Sequence, residues 1–224
     1  MSVHSGSARR WEPYSGVAYV VFFLGSVVAS GPPADNASDQ EWIANYTGHS
    51  EQVRHVATGI LLALAGLALM TFLVALWRRI AEAEPTASPS RLPVAAAAAT
   101  AALMGAGGQV MSYISGGEIL GDYPLPSVDL LRMSNDLGFA LAGVGAGWSA
   151  AIAVAALSVQ GHAAGVLSSR MRTAGVIAAC LLILSPLFFP IIGLLAWVLA
   201  VAITWIRGSG RHLSTAERQP AVSR

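Results

Sequence analysis

Glu51, Arg54 and His55 stand at the start of an apolar run, and Glu51 and His55 are four apart, on one face of a helix. Gln109 and Tyr113 close a later apolar run, followed by Glu118, Asp122 and Tyr123. Arg132 and Asp136 repeat the i, i+4 spacing just ahead of Phe139 and Trp148. Carboxylic acids, a histidine and aromatic rings in this order could line a cavity at one end of a helical bundle. A carboxyl partly withdrawn from water there can hold a proton at neutral pH and deliver it as a general acid. Asp136 or Glu118 would be that acid, with Asp122 and Glu51 as neighbouring carboxylates and His55 to orient or reprotonate it. The ring faces of Tyr113, Tyr123, Phe139 and Trp148 would stabilise developing positive charge. Arg54, Arg132 and Gln109 would complete the substrate contacts. The plainer reading is an interfacial ring. Asp136 and Glu51 then complement the positive N-terminal ends of their helices, and Arg132 pairs with Asp136.

Other chemistries lack their residues. His49 and His55 are six apart, and His162 and His212 are isolated, so no metal site is expected. Cys180 is the single cysteine, which excludes a disulfide framework, and it reads as a small buried hydrophobe. No phosphate-cradling glycine loop, dinucleotide fingerprint or nucleophile elbow is present in context. No paired Asp-rich motif could hold magnesium and a diphosphate. No cofactor is expected, and no nucleic-acid partner. No series of acids crosses the apolar runs, as a proton pump or voltage sensor would need.

The elements that must position these residues follow from composition. The chain has 224 residues, 54% hydrophobic and 11% charged, against about 25% charged in a typical soluble domain. One core of this size cannot hide so much apolar surface. The expected fold class is therefore an all-α integral membrane protein with no soluble domain, and membrane lipid is its first partner. A crossing helix needs about 20 apolar residues. Five regions qualify: Pro13–Ser30, His55–Trp77, Pro93–Tyr113, Leu137–Val159 and Thr173–Ile206. The last has 34 residues, roughly 51 Å of helix. It contains Pro186 and Pro190, which interrupt a helix. It is either one kinked span or two short ones, about 173–188 and 190–206.

Charge decides between these. The chain has no lysine, and all 13 basic residues are arginine. Arginine collects on the cytoplasmic side of bacterial membrane proteins. With residues 1–12 inside and six spans, 11 arginines fall inside and only Arg54 and Arg132 outside. Five spans would place the tail, 207–224, and its four arginines outside. Six spans in a bacterial inner membrane, with both termini cytoplasmic, is the expected topology. Arg9 and Arg10 precede the first run without a clean cleavage site after it, so that run is read as a retained span.

Gly143, Gly145 and Gly147 in the fourth span and Gly105, Gly107 and Gly108 in the third suit close helix packing. Intramolecular packing is expected, with a homodimer through these glycine-rich faces as the alternative. In the first outer loop Ser38 precedes Glu41 by three, a capping box. Trp42, Ile43 and Tyr46 are expected on one face of a short surface helix, with their rings at headgroup level.

Gly16-Val17-Ala18-Tyr19-Val20, the Pro32-Pro33-Ala34-Asp35 loop, and Leu76-Trp77-Arg78-Arg79 resemble a type of small, uncharacterised polytopic membrane protein of high-GC bacteria. The resemblance covers roughly residues 14–80 and implies a polytopic fold without handing over a functional residue. By analogy of size and helical character the chain is also similar to bacterial membrane-embedded terpene cyclases. The comparison implies a carboxylic acid that protonates an alkene or epoxide of a prenylated substrate. The function expected first is a proton-initiated isoprenoid cyclase. A small transporter or channel subunit, and a structural or regulatory partner of a membrane complex, are the alternatives.

Overall fold

Pro13, whose missing N–H costs nothing in a first turn, opens the helix α1 (Glu12–Ala29). The computed structural model describes residues 11–34, 36–83, 89–121, 123–187 and 191–216. Ser38 caps a short helix α2 (Asp39–Thr47), and α3 (His49–Ala83) follows almost at once. α3 has 35 residues, roughly 52 Å of helix. The chain continues through α4 (Leu92–Gly121) and α5 (Val128–Phe139). A π turn at Ala140–Gly145 joins α5 to α6 (Ala146–Ala163) without a break in the helical path. α7 (Ser169–Ile183), a 3₁₀ turn at Ser185–Leu187 and α8 (Ile191–Ala216) complete it. Every regular element among the described residues is helical.

Among the described residues five helical segments are long and apolar enough to cross a membrane: α1, α3, α4, the joined α5–α6, and Ile191–Gly208 of α8. α7, with 15 residues, is shorter than that. The region expected as 173–206 is nevertheless two helices. A side chain on Gly193 would meet Leu181 and Ala178, and Trp197 Nε1 donates to the Met171 carbonyl at 3.2 Å. Partners fall in number along α7 as they rise along α8, so the two run antiparallel. α4 runs past the expected end at Tyr113 to Gly121, which places Glu118 on a helix instead of a loop. Packing of that last stretch outweighs the poor helix propensity of Gly116 and Gly117.

The core joins Tyr19, Phe72, Leu76, Leu157, Leu182 and Val198. Val28, Ile60, Leu67, Ile152 and Ile177 remain exposed on the outside of their helices. Cys180, expected to be buried, is exposed on α7. The face of α7 that enters the core carries Gly175, Ala178, Ala179 and Leu182 instead.

Glycine sets the closest approaches. A Cβ on Gly107 would lie 2.6 Å from the Gly138 carbonyl oxygen of α5, and one on Gly108 would lie 2.9 Å from that of Gly59 in α3. α4 thus touches two neighbours backbone to backbone at successive residues, as small residues allow. Gly143 and Gly147 face Phe139 and Ser185 of the same chain, whereas Gly105 has nothing within 4 Å. Gly107→Val is therefore expected to lower stability by about 1–3 kcal/mol, the usual cost of overpacking. Gly105→Ala should not lower it. Unfolding in detergent with rising SDS checks the pair.

Candidate functional site

The acidic end of the bundle carries Asp39, Glu41, Glu51, Glu118, Asp129 and Asp136, and there α2 is bound to the helices around it. Its capping box forms in full. The Ser38 backbone N–H and hydroxyl donate to Glu41 Oε2 at 2.7 and 2.9 Å, and the Glu41 N–H donates back to Ser38 Oγ at 3.4 Å. Trp42 and Tyr46 are buried with Leu131 of α5, while Ile43 is exposed. The three do not share a face, and the indole and phenol are packed against protein instead of lying free at headgroup level. Arg132 completes the docking. It donates to Asp39 at 2.8 Å and to the Ala37 carbonyl at 3.2 Å, with its guanidinium 5.8 Å from the Trp42 ring centroid. The expected Arg132–Asp136 pair is replaced by this bond, because Asp39 is brought over α5 by the fold.

His55 is a buried junction of three helices. Asn45 Nδ2 of α2 lies 3.0 Å from its Nε2, and Ser115 Oγ of α4 lies 2.8 Å from its Nδ1. The amide N–H can only donate, so Nε2 accepts and Nδ1–H faces the serine oxygen. The Tyr46 ring stands edge-on to the imidazole at 4.6 Å. Gln52 Nε2 adds a bond to the Tyr46 carbonyl at 2.9 Å. With both ring nitrogens engaged, His55 holds α2 against α3 and α4, and is not presented to a carboxylate as expected. The void beside it is about 20 Å³, little more than one water-sized space. Arg54 Nε donates to the Ala29 carbonyl at 3.2 Å and so closes the C-terminal end of α1. Glu51 accepts from Ser50 Oγ at 2.7 Å.

Glu118 has a different setting. The last turns of α4, the segment Tyr123–Pro126 and the face of α5 bearing Leu130 and Ser134 enclose a cleft of about 390 Å³. Tyr113 and Tyr123 flank it, and both are mostly exposed. Ile114 and Leu125 form its back and also pack on the Trp42–Tyr46–Leu131 cluster. Ser134 Oγ donates to the Val110 carbonyl at 2.9 Å and ties α5 to α4 beneath it. Glu118 Oε2 is buried and has no hydrogen-bond partner among the described residues. A buried carboxyl oxygen without a partner is costly, and a bound molecule that engages the group lowers that cost.

The remaining candidates lie elsewhere. Asp136 is exposed and among the described residues meets only the Asn135 amide, at 3.5 Å; it does not line the cleft. Gln109 is exposed. Trp148 donates to the Ile183 carbonyl at 3.1 Å, at the end of α7. Phe139 borders a separate void of about 90 Å³ with Phe23, Met111 and Ile191. Asp122 lies outside the described residues. The single outer cavity expected from sequence is thus divided, and only Glu118, Tyr113 and Tyr123 share its larger part. Asn45, Ser115, Ser134 and Leu125 were not foreseen. Ser112 and Ser115, three apart in an apolar helix, were the one available signal.

No protein family, no curated protein and no solved structure matches the chain.

The Glu41 carboxyl sits below the usual glutamate value, because the Ser38 backbone N–H, and then its hydroxyl, favour the charged form. A depressed folded value means that the cap contributes fully above the ordinary glutamate range and loses its contribution as pH falls through the depressed value. Ser38→Ala should weaken α2 by about 0.5–2 kcal/mol. Hydrogen exchange should quicken in residues 39–47 in that variant at neutral pH, and in the unaltered protein upon acidification.

Proposed function

We propose that the protein is a multi-pass membrane protein that admits a lipophilic molecule to the cleft around Glu118 and acts on it by proton transfer. The reading takes six crossings, with α7 as the short fifth and the arginine-rich end in the cytoplasm of a bacterial cell. Among the described residues of the acidic end, Arg54 and Arg132 are the only arginines, and each is held in an internal contact. Those two exceptions to the arginine bias thus serve the fold. The apolar residues exposed along the helices are the surface that lipid would cover.

The observation that carries the reading is the unpartnered Oε2 of Glu118 in an apolar cleft flanked by two tyrosines. Its most concrete form is a proton-initiated isoprenoid cyclase. Glu118 delivers a proton to a terminal alkene or epoxide; the resulting cation is captured by the next double bond; proton loss to water, from which Glu118 takes up its proton again, ends the sequence. The faces of Tyr113 and Tyr123 can stabilise the passing cation. The net change is an isomerisation that needs neither metal nor diphosphate.

Purified protein in nanodiscs, incubated with linear polyprenylated lipids, should give products of unchanged mass with fewer double bonds by mass spectrometry and NMR. Glu118→Gln should lower turnover by a factor of about 10²–10⁴, the usual contribution of a general acid, while helical content is kept. Asp136→Asn should leave turnover unchanged. Saturable binding without conversion would refute catalysis and favour a carrier. Neither binding nor conversion would remove the cleft as a substrate site.

A further inference from the structure

At the opposite end of the bundle, α6 and α7 part to leave a second groove of about 460 Å³. Its walls are Val159 on α6 and Val176 and Ile177 on α7, all exposed; its rim carries His162, Arg172 and Thr173. Between Asp136 and Glu217 the chain contains no aspartate or glutamate. No carboxylate on α6, α7 or the described part of α8 can therefore neutralise this rim, and Arg172 forms no ion pair among the described residues. A groove that joins apolar walls to a guanidinium with no ion pair among the described residues, at the membrane boundary, fits an anionic amphiphile.

The turn between the two helices decides what else the headgroup must offer. Gly165 adopts φ 70°, and the Val166 and Leu167 N–H groups both reach back to the Gly161 carbonyl at 2.8 Å. That turn sets the Leu167 carbonyl 3.2 Å from His162 Nδ1. A carbonyl only accepts, so Nδ1 carries the proton and Nε2 of the neutral ring is an acceptor. The rim thus pairs a donor for a phosphodiester with an acceptor for a hydroxyl.

We infer that the α6–α7 groove is a binding site for an anionic phospholipid with a hydroxylated headgroup, of which phosphatidylglycerol is the simplest. Arg172 holds the phosphodiester, His162 Nε2 accepts from a headgroup hydroxyl, and an acyl chain follows Val159, Val176 and Ile177 toward the bilayer. The site rests on the six-crossing reading and is independent of any reaction at Glu118.

The test uses the full chain, delipidated in mild detergent. Retained lipid is read by native mass spectrometry and thermal stability is followed during titration. The probes are phosphatidylglycerol, phosphatidylmethanol (an anionic diester without a hydroxyl), phosphatidylcholine and inorganic phosphate. Phosphatidylglycerol should bind at least about tenfold more tightly than phosphatidylcholine, and Arg172→Gln should weaken it about tenfold, as for loss of a charged hydrogen bond. Arg172→Lys should restore part of the preference for anions. His162→Phe should erase the preference for phosphatidylglycerol over phosphatidylmethanol and leave the preference for anions. Equal binding of phosphatidylcholine, an undiminished Arg172→Gln, or displacement of lipid by inorganic phosphate would overturn the site. Flotation of the protein with membranes separates the outcomes: without it the six-crossing reading fails, and with it a failed lipid preference removes only this site.

Discussion

Helix α4 can occupy the middle of the bundle because two successive residues have no side chain. Gly107 meets the backbone of α5 at Gly138, and Gly108 meets that of α3 at Gly59. Small residues let helix backbones approach closely, and close packing of this kind contributes to helix association. These two contacts fix the depth and rotation of α4, and everything above them on that helix inherits the setting. Ser115 is brought to His55, Ser134 of α5 to the Val110 carbonyl, and Glu118 to the cleft between α4 and α5. A shift of either glycine pair would move all three.

The acidic end is assembled on this frame by hydrogen bonds between distant stretches of chain. α2 is short and contributes little stability by itself. It is held by His55 through Asn45, by Gln52 through the Tyr46 carbonyl, and by Arg132 through Asp39. The ion pair is partly exposed and alone worth about 0–1 kcal/mol. The buried Trp42 and Tyr46 rings supply the apolar contact that makes the docking cooperative. Ile114 and Leu125 pass that order on to the wall of the Glu118 cleft. The two ends of the molecule consequently differ in kind. One is acidic and closed by polar contacts within the chain; the other is rich in arginine, and there Arg172 borders a groove without an ion pair among the described residues.

Much of this was legible without coordinates. Apolar runs separated by charge, prolines at 186 and 190, and Ser38 before Glu41 each act within a few residues of chain, so composition and spacing alone determined an all-helical protein with a break late in the chain and a capped short helix. The same local logic failed where partners are distant. Arg132 has an acid four residues ahead, yet it bonds Asp39, 93 residues away. His55 has Glu51 on its own face, yet it bonds Asn45 and Ser115. Only the tertiary structure could decide which carboxyl is withdrawn from water. Asp136 and Glu118 read alike in sequence, but α5 turns the first outward, whereas the second is half-buried and lines the α4–α5 cleft with Oε2 buried. Burial is a property of the surfaces that meet at a residue, and those surfaces are chosen by packing across the bundle.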